Sequence, residues 1–347
     1  MGGFSDVLNM KPGKSITIML IIVSTVFISR ATVNRKEYQE PLNVFIANSS
    51  INALIRKETS EAQNYVITYT SEDQKIKTER KESQQGGDST SIEKRGTPEP
   101  SIAKPITSNP ELGAEIAYIR GVNDRFPSYK RGATKRWPIA SITKLMTALI
   151  AEEYIPKETK IVFTEHSIET EGTAGSFVVG DVFLKEDVIS AMLVTSSNDA
   201  AVALARNLGK EKFMQFMNEK ATTLGLRNTT FADASGLSYL NQSTAEDLFI
   251  FMKYLHLIHP EILEITRLKE VKIKELETGT VHEISNINAL VTRSDYVGGK
   301  TGYTDEARQN LLSLFRDRDS NYTIVIILGS ANRFDETVRL YNWHENR

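Results

Sequence analysis

A serine and a lysine stand three residues apart in the stretch WPIASITKLMTALIAEEY, which runs from Trp137 to Tyr154. If this stretch is helical, Ser141 and Lys144 lie one turn apart on one face, where the lysine amine can reach the serine hydroxyl. A serine in the first turn also lies where unpaired N–H groups and the positive end of the helix favour developing negative charge. Because a serine hydroxyl is a poor nucleophile without an adjacent base, the pair predicts Ser141 as nucleophile and Lys144 as its base.

The same serine-to-lysine spacing occurs twice more, so its surroundings decide how much it means. The other two instances begin at Ser91 and Ser101 and lie in polar sequence with proline and glycine close by. The stretch around Ser141 instead carries apolar residues around most of a helical wheel, and Pro138 is typical of the entry to a helix. We therefore expect a buried central helix that begins near Pro138 and carries both Ser141 and Lys144.

Strand patterns lie at both ends of the C-terminal part of the chain, with helical patterns between them. The predicted strands are 115–120, 129–136, 160–163, 271–276, 280–284, 311–315 and 322–328, and the predicted helices are 137–154, 184–194, 200–208, 213–224, 245–258 and 335–343. This order predicts an α+β fold, in which an antiparallel sheet packs with helices and contains a helical insertion.

The composition excludes several classes of function. The chain has 347 residues, of which 40% are hydrophobic, and this is enough to bury a core. Its net charge of −2 gives no reason to expect a nucleic-acid partner, and the absence of cysteine excludes disulfides and thiolate metal sites. The five histidines are scattered, and neither His-Glu-x-x-His nor Gly-x-Ser-x-Gly occurs, so neither a zinc hydrolase nor an α/β-hydrolase is indicated. We expect no metal and no cofactor.

The N-terminal part of the chain reads as an export segment followed by a tether. Residues 16–29 are apolar, and as a helix they would extend about 21 Å, short of the ~30 Å hydrocarbon layer. We expect 1–31 to be a signal segment, either cleaved or kept as a signal anchor. Residues 32–110 are mostly polar and are predicted to be a disordered tether with a reach of roughly 50 Å, before a folded domain at 111–347.

Two further short elements follow the serine and lysine. They are Ser196-Ser197-Asn198 and Lys300-Thr301-Gly302, and Lys-Thr-Gly occurs once in the chain. In this order the three elements resemble the serine-type D-alanyl-D-alanine carboxypeptidases, which are low-molecular-mass penicillin-binding proteins related in fold to the serine β-lactamases. The resemblance runs from about Glu111 to Trp343 and includes the phrases PIASITKLMTA, TSSNDAAVALA, ASGLSYLNQSTAEDL and YVGGKTGYT.

The resemblance implies roles for the residues of these elements. Ser141, Lys144 and Ser196 would be catalytic, with Ser196 relaying a proton to the leaving amine. The implied substrate-binding residues are Asn198, Lys300, Thr301, Gly302, Tyr303 and Arg333. Asn198 would hold the substrate amide, the backbone N–H groups of Ser141 and Tyr303 would form the oxyanion hole, and Thr301 and Arg333 would bind the terminal carboxylate.

The implied activity is removal of the terminal D-alanine from peptidoglycan stem peptides through an acyl-enzyme on Ser141, with β-lactam antibiotics as covalent inhibitors. We expect the protein at the extracytoplasmic face of the bacterial cell membrane, held by its N-terminal segment, or secreted after cleavage. Three alternatives stay open, namely endopeptidase action by the same residues, a β-lactamase, and a non-catalytic peptidoglycan-binding protein. Between Asn198 and Lys300 no Glu is followed by Asn four residues later, so the deacylating glutamate of class A β-lactamases is not indicated.

Overall fold

The computed structural model of this chain describes residues 109–168, 171–172 and 174–347. The signal or anchor segment predicted at 1–31 lies outside the described residues, and so does the tether predicted at 32–110 except for its last two positions. Among the helices that the structure describes, none is long and apolar enough to cross a bilayer.

The described residues form eleven strands and eight α-helices. The strands are β1 (Ile116–Gly121), β2 (Tyr129–Arg131), β3 (Trp137–Pro138), β4 (Lys160–Val162), β5 (Val182–Leu184), β6 (Gln242–Ser243), β7 (Glu270–Lys274), β8 (Val281–Ser285), β9 (Tyr296–Thr304), β10 (Arg308–Arg316) and β11 (Tyr322–Ser330). The helices are α1 (Thr143–Tyr154), α2 (Glu165–Ile168), α3 (Lys185–Thr195), α4 (Asn198–Asn207), α5 (Lys210–Thr223), α6 (Ala245–Ile258), α7 (Pro260–Thr266) and α8 (Arg333–Glu345).

The main sheet is built from both ends of the folded region. Its five antiparallel strands lie in the order β2-β1-β11-β10-β9, so the first strands pair with the last ones. Successive side chains of a strand point to opposite faces, and both faces of this sheet are covered by helices. On one face Tyr118 contacts Phe249 of α6, with ring centroids 5.8 Å apart, and on the other Phe315 stacks on Tyr341 of α8 at 4.3 Å.

The remaining helices form the insertion between β3 and β9. Residues 143–151 of α1 are all buried, because α3, α4 and α5 pack around this helix. The prediction of a central helix buried on more than one side is therefore confirmed. The predicted α+β fold, with an antiparallel sheet and a helical insertion, is confirmed as well.

The start of the central helix differs from the prediction. The indole N–H of Trp137 donates a hydrogen bond to the carbonyl oxygen of Ala307 at 2.9 Å, and the backbone N–H of Ile139 donates to that of Asn241 at 2.9 Å. These partners, distant in the sequence, hold the segment before the serine extended as β3. Pro138 lies in this short strand, so the prediction that it starts the helix is wrong. A fixed φ and a missing N–H suit a short edge strand as well as a helix entry.

Ser141 lies in a single 3-10 turn, Ala140–Ile142, that connects β3 to α1. Ala140 has a φ of +48°, a left-handed conformation that costs energy for a residue with a side chain. The α-helix begins only at Thr143, two residues after the serine. The chain therefore turns at Ala140, immediately before Ser141, and the serine directly precedes the first turn of α1.

Candidate active site

The amine of Lys144 makes three hydrogen bonds beside Ser141. It donates to Ser141 Oγ at 2.9 Å, to Asn198 Oδ1 at 2.6 Å and to the carbonyl oxygen of Ser235 at 2.5 Å. The side chain is fully buried, and burial lowers the pKa of Lys144 to about 7, against the opposing effect of the Asp233 carboxylate. A large fraction of this lysine is therefore neutral near pH 7, as a base for the Ser141 hydroxyl must be.

Lys300 and Ser196 form a second amine–hydroxyl pair. Lys300 Nζ donates to Ser196 Oγ at 2.9 Å and to the carbonyl oxygen of Thr301 at 3.1 Å. Burial lowers the pKa of Lys300 well below its ordinary value, and the positive charges of Lys144 and Arg333 lower it further. The two lysine amines lie close enough that a proton on one disfavours a proton on the other.

The junction between α3 and α4 directs Ser196 and Asn198 into the site. Ser196 ends α3 in a left-handed conformation with φ +65°, and the hydroxyl of Ser197 caps α4 by accepting from the backbone N–H of Ala200 at 3.1 Å. Asn198 Oδ1 accepts from Lys144, and its Nδ2 donates to the carbonyl oxygen of Glu171 at 2.6 Å. The predicted contact of Asn198 with a substrate amide stays a prediction.

Gly302 and Gly236 lie against the backbone of the serine turn. A Cβ at Gly302 would lie 2.7 Å from the carbonyl oxygen of Ile139 and 3.2 Å from the backbone nitrogen of Ser141. A Cβ at Gly236 would lie 2.1 Å from the carbonyl oxygen of Ala140. Only a residue without a side chain permits these approaches. β9 therefore brings the segment that contains Tyr303 directly to the turn that contains Ser141, as the predicted pair of oxyanion donors requires.

Three further residues predicted to bind substrate, Thr301, Tyr303 and Arg333, lie on or near β9 and differ in how exposed they are. Thr301 is buried beside Lys300. The Tyr303 side chain is 60% exposed and its hydroxyl donates to Asp305 Oδ1 at 3.0 Å, so the role predicted for this residue concerns its backbone N–H alone. Arg333, the first residue of α8, donates from Nη1 to the carbonyl oxygen of Gly302 at 2.9 Å. Its Nε is buried without a hydrogen-bond partner in the described structure.

Sequence reasoning missed two groups that hold the site together. Asn310 is buried on β10, donates to the carbonyl oxygen of Pro138 at 2.8 Å and accepts from the backbone N–H of Gly329 at 2.9 Å. Residues 231–241 form a loop whose Ser235 carbonyl contacts Lys144. The phrase ASGLSYLN within this loop is part of the resemblance, but a backbone carbonyl gives no residue-type signal. Within the described residues, no cluster of three or more His, Asp or Glu side chains could hold a metal ion.

The arrangement is suited to acyl transfer. Ser141 has a base within hydrogen-bonding distance, and a second hydroxyl, Ser196, is paired with another buried amine. Backbone N–H groups at the serine turn and after Gly302 can stabilise an oxyanion. The residues predicted as nucleophile, base, proton relay and carboxylate-binding arginine thus lie together where β9, α1 and the α3–α4 junction meet.

The sequence of this chain matches a family of known proteins. The sequence model of the D-alanyl-D-alanine carboxypeptidases matches residues 107–332. A D-alanyl-D-alanine endopeptidase of Pseudomonas aeruginosa is 30% identical over 262 residues, which are 72% of this chain and 82% of that protein. A D-alanyl-D-alanine carboxypeptidase of Bacillus subtilis is 30% identical over 212 residues, which are 58% of this chain and 54% of that protein.

The fold is shared with solved structures of such proteins. Penicillin-binding protein D2 of Listeria monocytogenes, solved with cefotaxime bound, is 30% identical and superposes with a TM-score of 0.61 over 68% of this chain and 99% of that one. The expected DD-peptidase-like and β-lactamase-like architecture is therefore confirmed.

Proposed function

Because this chain belongs to the D-alanyl-D-alanine carboxypeptidase family of serine peptidases, we propose that it removes the terminal D-alanine from peptidoglycan stem peptides. The observation that carries the proposal is the contact between the buried amine of Lys144 and the hydroxyl of Ser141 at 2.9 Å. A nucleophile with its base already within hydrogen-bonding distance is what covalent acyl transfer requires.

The reaction has two halves, formation of an acyl-enzyme and its hydrolysis. Ser141 Oγ attacks the carbonyl carbon of the penultimate D-alanine, and the hydroxyl proton passes to Nζ of Lys144. The backbone N–H groups of Ser141 and Tyr303 stabilise the negative charge that develops on the carbonyl oxygen. The C–N bond then breaks, and the leaving D-alanine takes up, through the Ser196 hydroxyl, the proton that Lys144 had accepted, so Lys144 is neutral again. Attack of water on the ester releases the shortened peptide and restores the Ser141 hydroxyl.

The substrate is held by its terminal carboxylate. The guanidinium of Arg333, which also donates to the Gly302 carbonyl oxygen, and the hydroxyl of Thr301 are the expected donors to that carboxylate. Asn198 would hold the amide of the penultimate residue through a rearrangement of its present contact with Glu171.

The same attack on the ring carbonyl of a β-lactam gives a covalent adduct, and a similar protein has been solved with cefotaxime bound. Intact-mass spectrometry after incubation with benzylpenicillin tests the proposal. We expect one adduct on the wild type, at Ser141, and none on Ser141→Ala. A correctly folded wild type that gains no mass would refute the proposed function, and rapid loss of the adduct would favour the β-lactamase alternative.

Endopeptidase action is the second candidate, because a relative with 30% identity over most of both chains is an endopeptidase. The two activities differ only in whether the leaving amine belongs to free D-alanine or to a cross-linked peptide. Digestion of pentapeptide monomers and of cross-linked dimers, analysed by chromatography, distinguishes them. A non-catalytic role is disfavoured because Ser141, Lys144, Ser196 and Lys300 all make the contacts that catalysis needs.

We also propose that the catalytic region acts outside the cytoplasmic membrane, because peptidoglycan lies there and residues 16–29 are apolar. The segment 1–31 would deliver it and, if uncleaved, would hold it at the membrane. Fractionation followed by sequencing of the mature N-terminus tests this proposal. A mature start at Thr32 in a secreted fraction would exclude anchoring, and an intact N-terminus in the cytoplasmic fraction would exclude export.

A further inference from the structure

The carboxylate of Asp233 organises the loop that follows α5. Its Oδ1 accepts from the backbone N–H of Ser235 at 2.8 Å, from the Ser235 hydroxyl at 2.8 Å and from the backbone N–H of Gly236 at 2.5 Å. Its Oδ2 accepts from the backbone N–H of Ser238 at 2.7 Å. Four hydrogen bonds to one ionised side chain fix the conformation of residues 233–238, here called the Asp233 loop.

The Asp233 loop is docked on the face of α1 that carries the catalytic lysine. The Ser235 carbonyl oxygen accepts from Lys144 Nζ at 2.5 Å, and the Ala234 carbonyl oxygen accepts from the Thr147 hydroxyl at 2.6 Å. Gly236 lies against the serine turn. Any movement of this loop therefore changes both the contacts of the lysine amine and the space around the nucleophile.

The charges around Lys144 come from several elements. Asp233 in its loop, Asp199 on α4, Lys300 on β9 and Arg333 on α8 are the charged residues of the elements around it. At the far end of α1, Lys185 of α3 pairs with Glu152, and Lys220 of α5 pairs with Glu153. Glu261 and Glu264 of α7 are exposed. Burial lowers the pKa of Lys144, and the Asp233 carboxylate is the charge that raises it. Burial also raises the pKa of Asp199 to about 6, so that group carries its full charge only above that pH.

We propose that Asp233 is a positioning residue for the reaction: its carboxylate holds the loop that presents the Ser235 carbonyl to Lys144, and its negative charge stabilises the ammonium form of that lysine. A general base works best when its own proton affinity matches the working pH. Asp233 thus keeps the buried amine basic enough to take the serine proton. This inference rests on the proposed function, because it assumes that Lys144 is the base.

The test is the pH profile of acylation by a fluorescent penicillin in the full-length protein, for the wild type, Asp233→Asn, Asp233→Ser and Asp233→Glu. Without the charge, Lys144 loses its proton at lower pH, so we expect the acid limb of both uncharged variants to move down by roughly 0.5 to 1 pH unit. The plateau rate should fall several-fold, because a weaker base takes the proton less readily. Asp233→Glu should keep the wild-type limb even if its rate is lower.

A matched control is Asp317→Asn. Asp317 also accepts from a loop, through the backbone N–H and Nδ2 of Asn321, but it lies at the β10–β11 turn. Its profile should equal that of the wild type. If the uncharged variants lose rate equally at every pH, Asp233 has only a structural role and the proposal is overturned. The proposal is also overturned if Asp233→Glu folds but neither Asp233→Asn nor Asp233→Ser does. A wild type that is not labelled at all would instead contradict the proposed function.

Discussion

The amine of Lys300 lies 2.9 Å from the hydroxyl of Ser196, in a pair that repeats the contact between Lys144 and Ser141. Each pair joins a buried lysine to a serine that ends or precedes a helix. The two hydroxyls differ in their setting, however. Ser141 has a base and adjacent oxyanion donors, whereas Ser196 has an amine whose pKa is lowered by burial and by neighbouring cations. This difference distinguishes the proposed nucleophile, Ser141, from the proposed proton relay, Ser196.

Replacement of Ser196 by alanine should lower the rate of carboxypeptidase turnover by about 10² to 10⁴-fold, the usual contribution of a general acid–base step. Folding should be little affected, because the Ser196 side chain caps no helix. Steady-state hydrolysis of a D-Ala-D-Ala peptide measures this effect.

Ser197→Ala is the matched control for that change. Its hydroxyl caps α4, so the variant should lose about 1 kcal/mol of unfolding free energy and keep most of its activity. If Ser197→Ala lost as much turnover as Ser196→Ala, the relay role of Ser196 would be unsupported.

The acylation rate should have an acid limb with a midpoint near pH 7. Burial lowers the pKa of Lys144 to about 7, and below that pH the amine holds a proton and cannot accept the one from Ser141. The second-order rate of acylation by benzylpenicillin should therefore fall about tenfold for each pH unit below the midpoint and level off above it. Circular dichroism across the same range controls for unfolding. A rate that stays constant from pH 8 to pH 5 is incompatible with a lysine base of this kind.

Gly236→Ala should disable acylation, because its Cβ would meet the Ala140 carbonyl oxygen at 2.1 Å and the Ser141 backbone nitrogen at 3.0 Å. Neither atom can move without displacing the nucleophile, so we expect a loss of at least tenfold in acylation and about 1–3 kcal/mol of unfolding free energy. Penicillin labelling and thermal unfolding measure the two effects.

Gly209→Ala is the control that separates the steric clash at Gly236 from the cost of a left-handed backbone conformation. Gly209 has a φ of +87°, close to the +88° of Gly236, but an alanine Cβ at this position would have no atom within 4 Å. This variant should lose about 1 kcal/mol through its left-handed conformation and should acylate normally. Equal acylation rates for the two variants would show that the contact of Gly236 with the serine turn is unimportant.

Arg333→Ala should raise KM for peptides with a free terminal carboxylate by about 10 to 100-fold, since a charge-assisted hydrogen bond contributes about 1.5–3 kcal/mol. The effect should vanish when the terminal carboxylate of the peptide is amidated. Arg339→Ala, on the same helix, removes an exposed arginine that pairs with Asp335, and it should leave KM unchanged. A loss that is equal for free and amidated peptides would mean that Arg333 acts only by holding the Gly302 carbonyl.

Side-chain chemistry in short segments is what the sequence predicts well here. The spacing of Ser141 and Lys144 predicts a contact through one helical turn, and their atoms lie 2.9 Å apart although the turn is 3-10 at its start. The start of α1 is predicted poorly. Pro138 suits a helix entry and an edge strand alike, and hydrogen bonds to residues far along the chain decide between them.

The parts that sequence reasoning missed depend on backbone atoms or on glycine. The Ser235 carbonyl could come from any residue, so nothing in the residue type signals its contact with Lys144. The strand β9 is missing from the strands that the sequence predicts, because Gly298, Gly299 and Gly302 weaken the strand pattern. Those glycines are needed where neighbouring backbone comes close to the strand. The glycines that allow close backbone contacts in the site are thus the same residues that prevent prediction of the strand.

The pairing of β1 with β11 also determines when the chain can fold during its synthesis. Ile116 lies opposite Leu328, and the serine turn meets β9, so early and late parts of the polypeptide must join before either the sheet or the catalytic centre exists. Contacts of such long sequence separation slow folding, because a large loop must close first. A nascent polypeptide that stops before β11 leaves β1 without its central neighbour, so penicillin reactivity should emerge only once synthesis has passed the final strand.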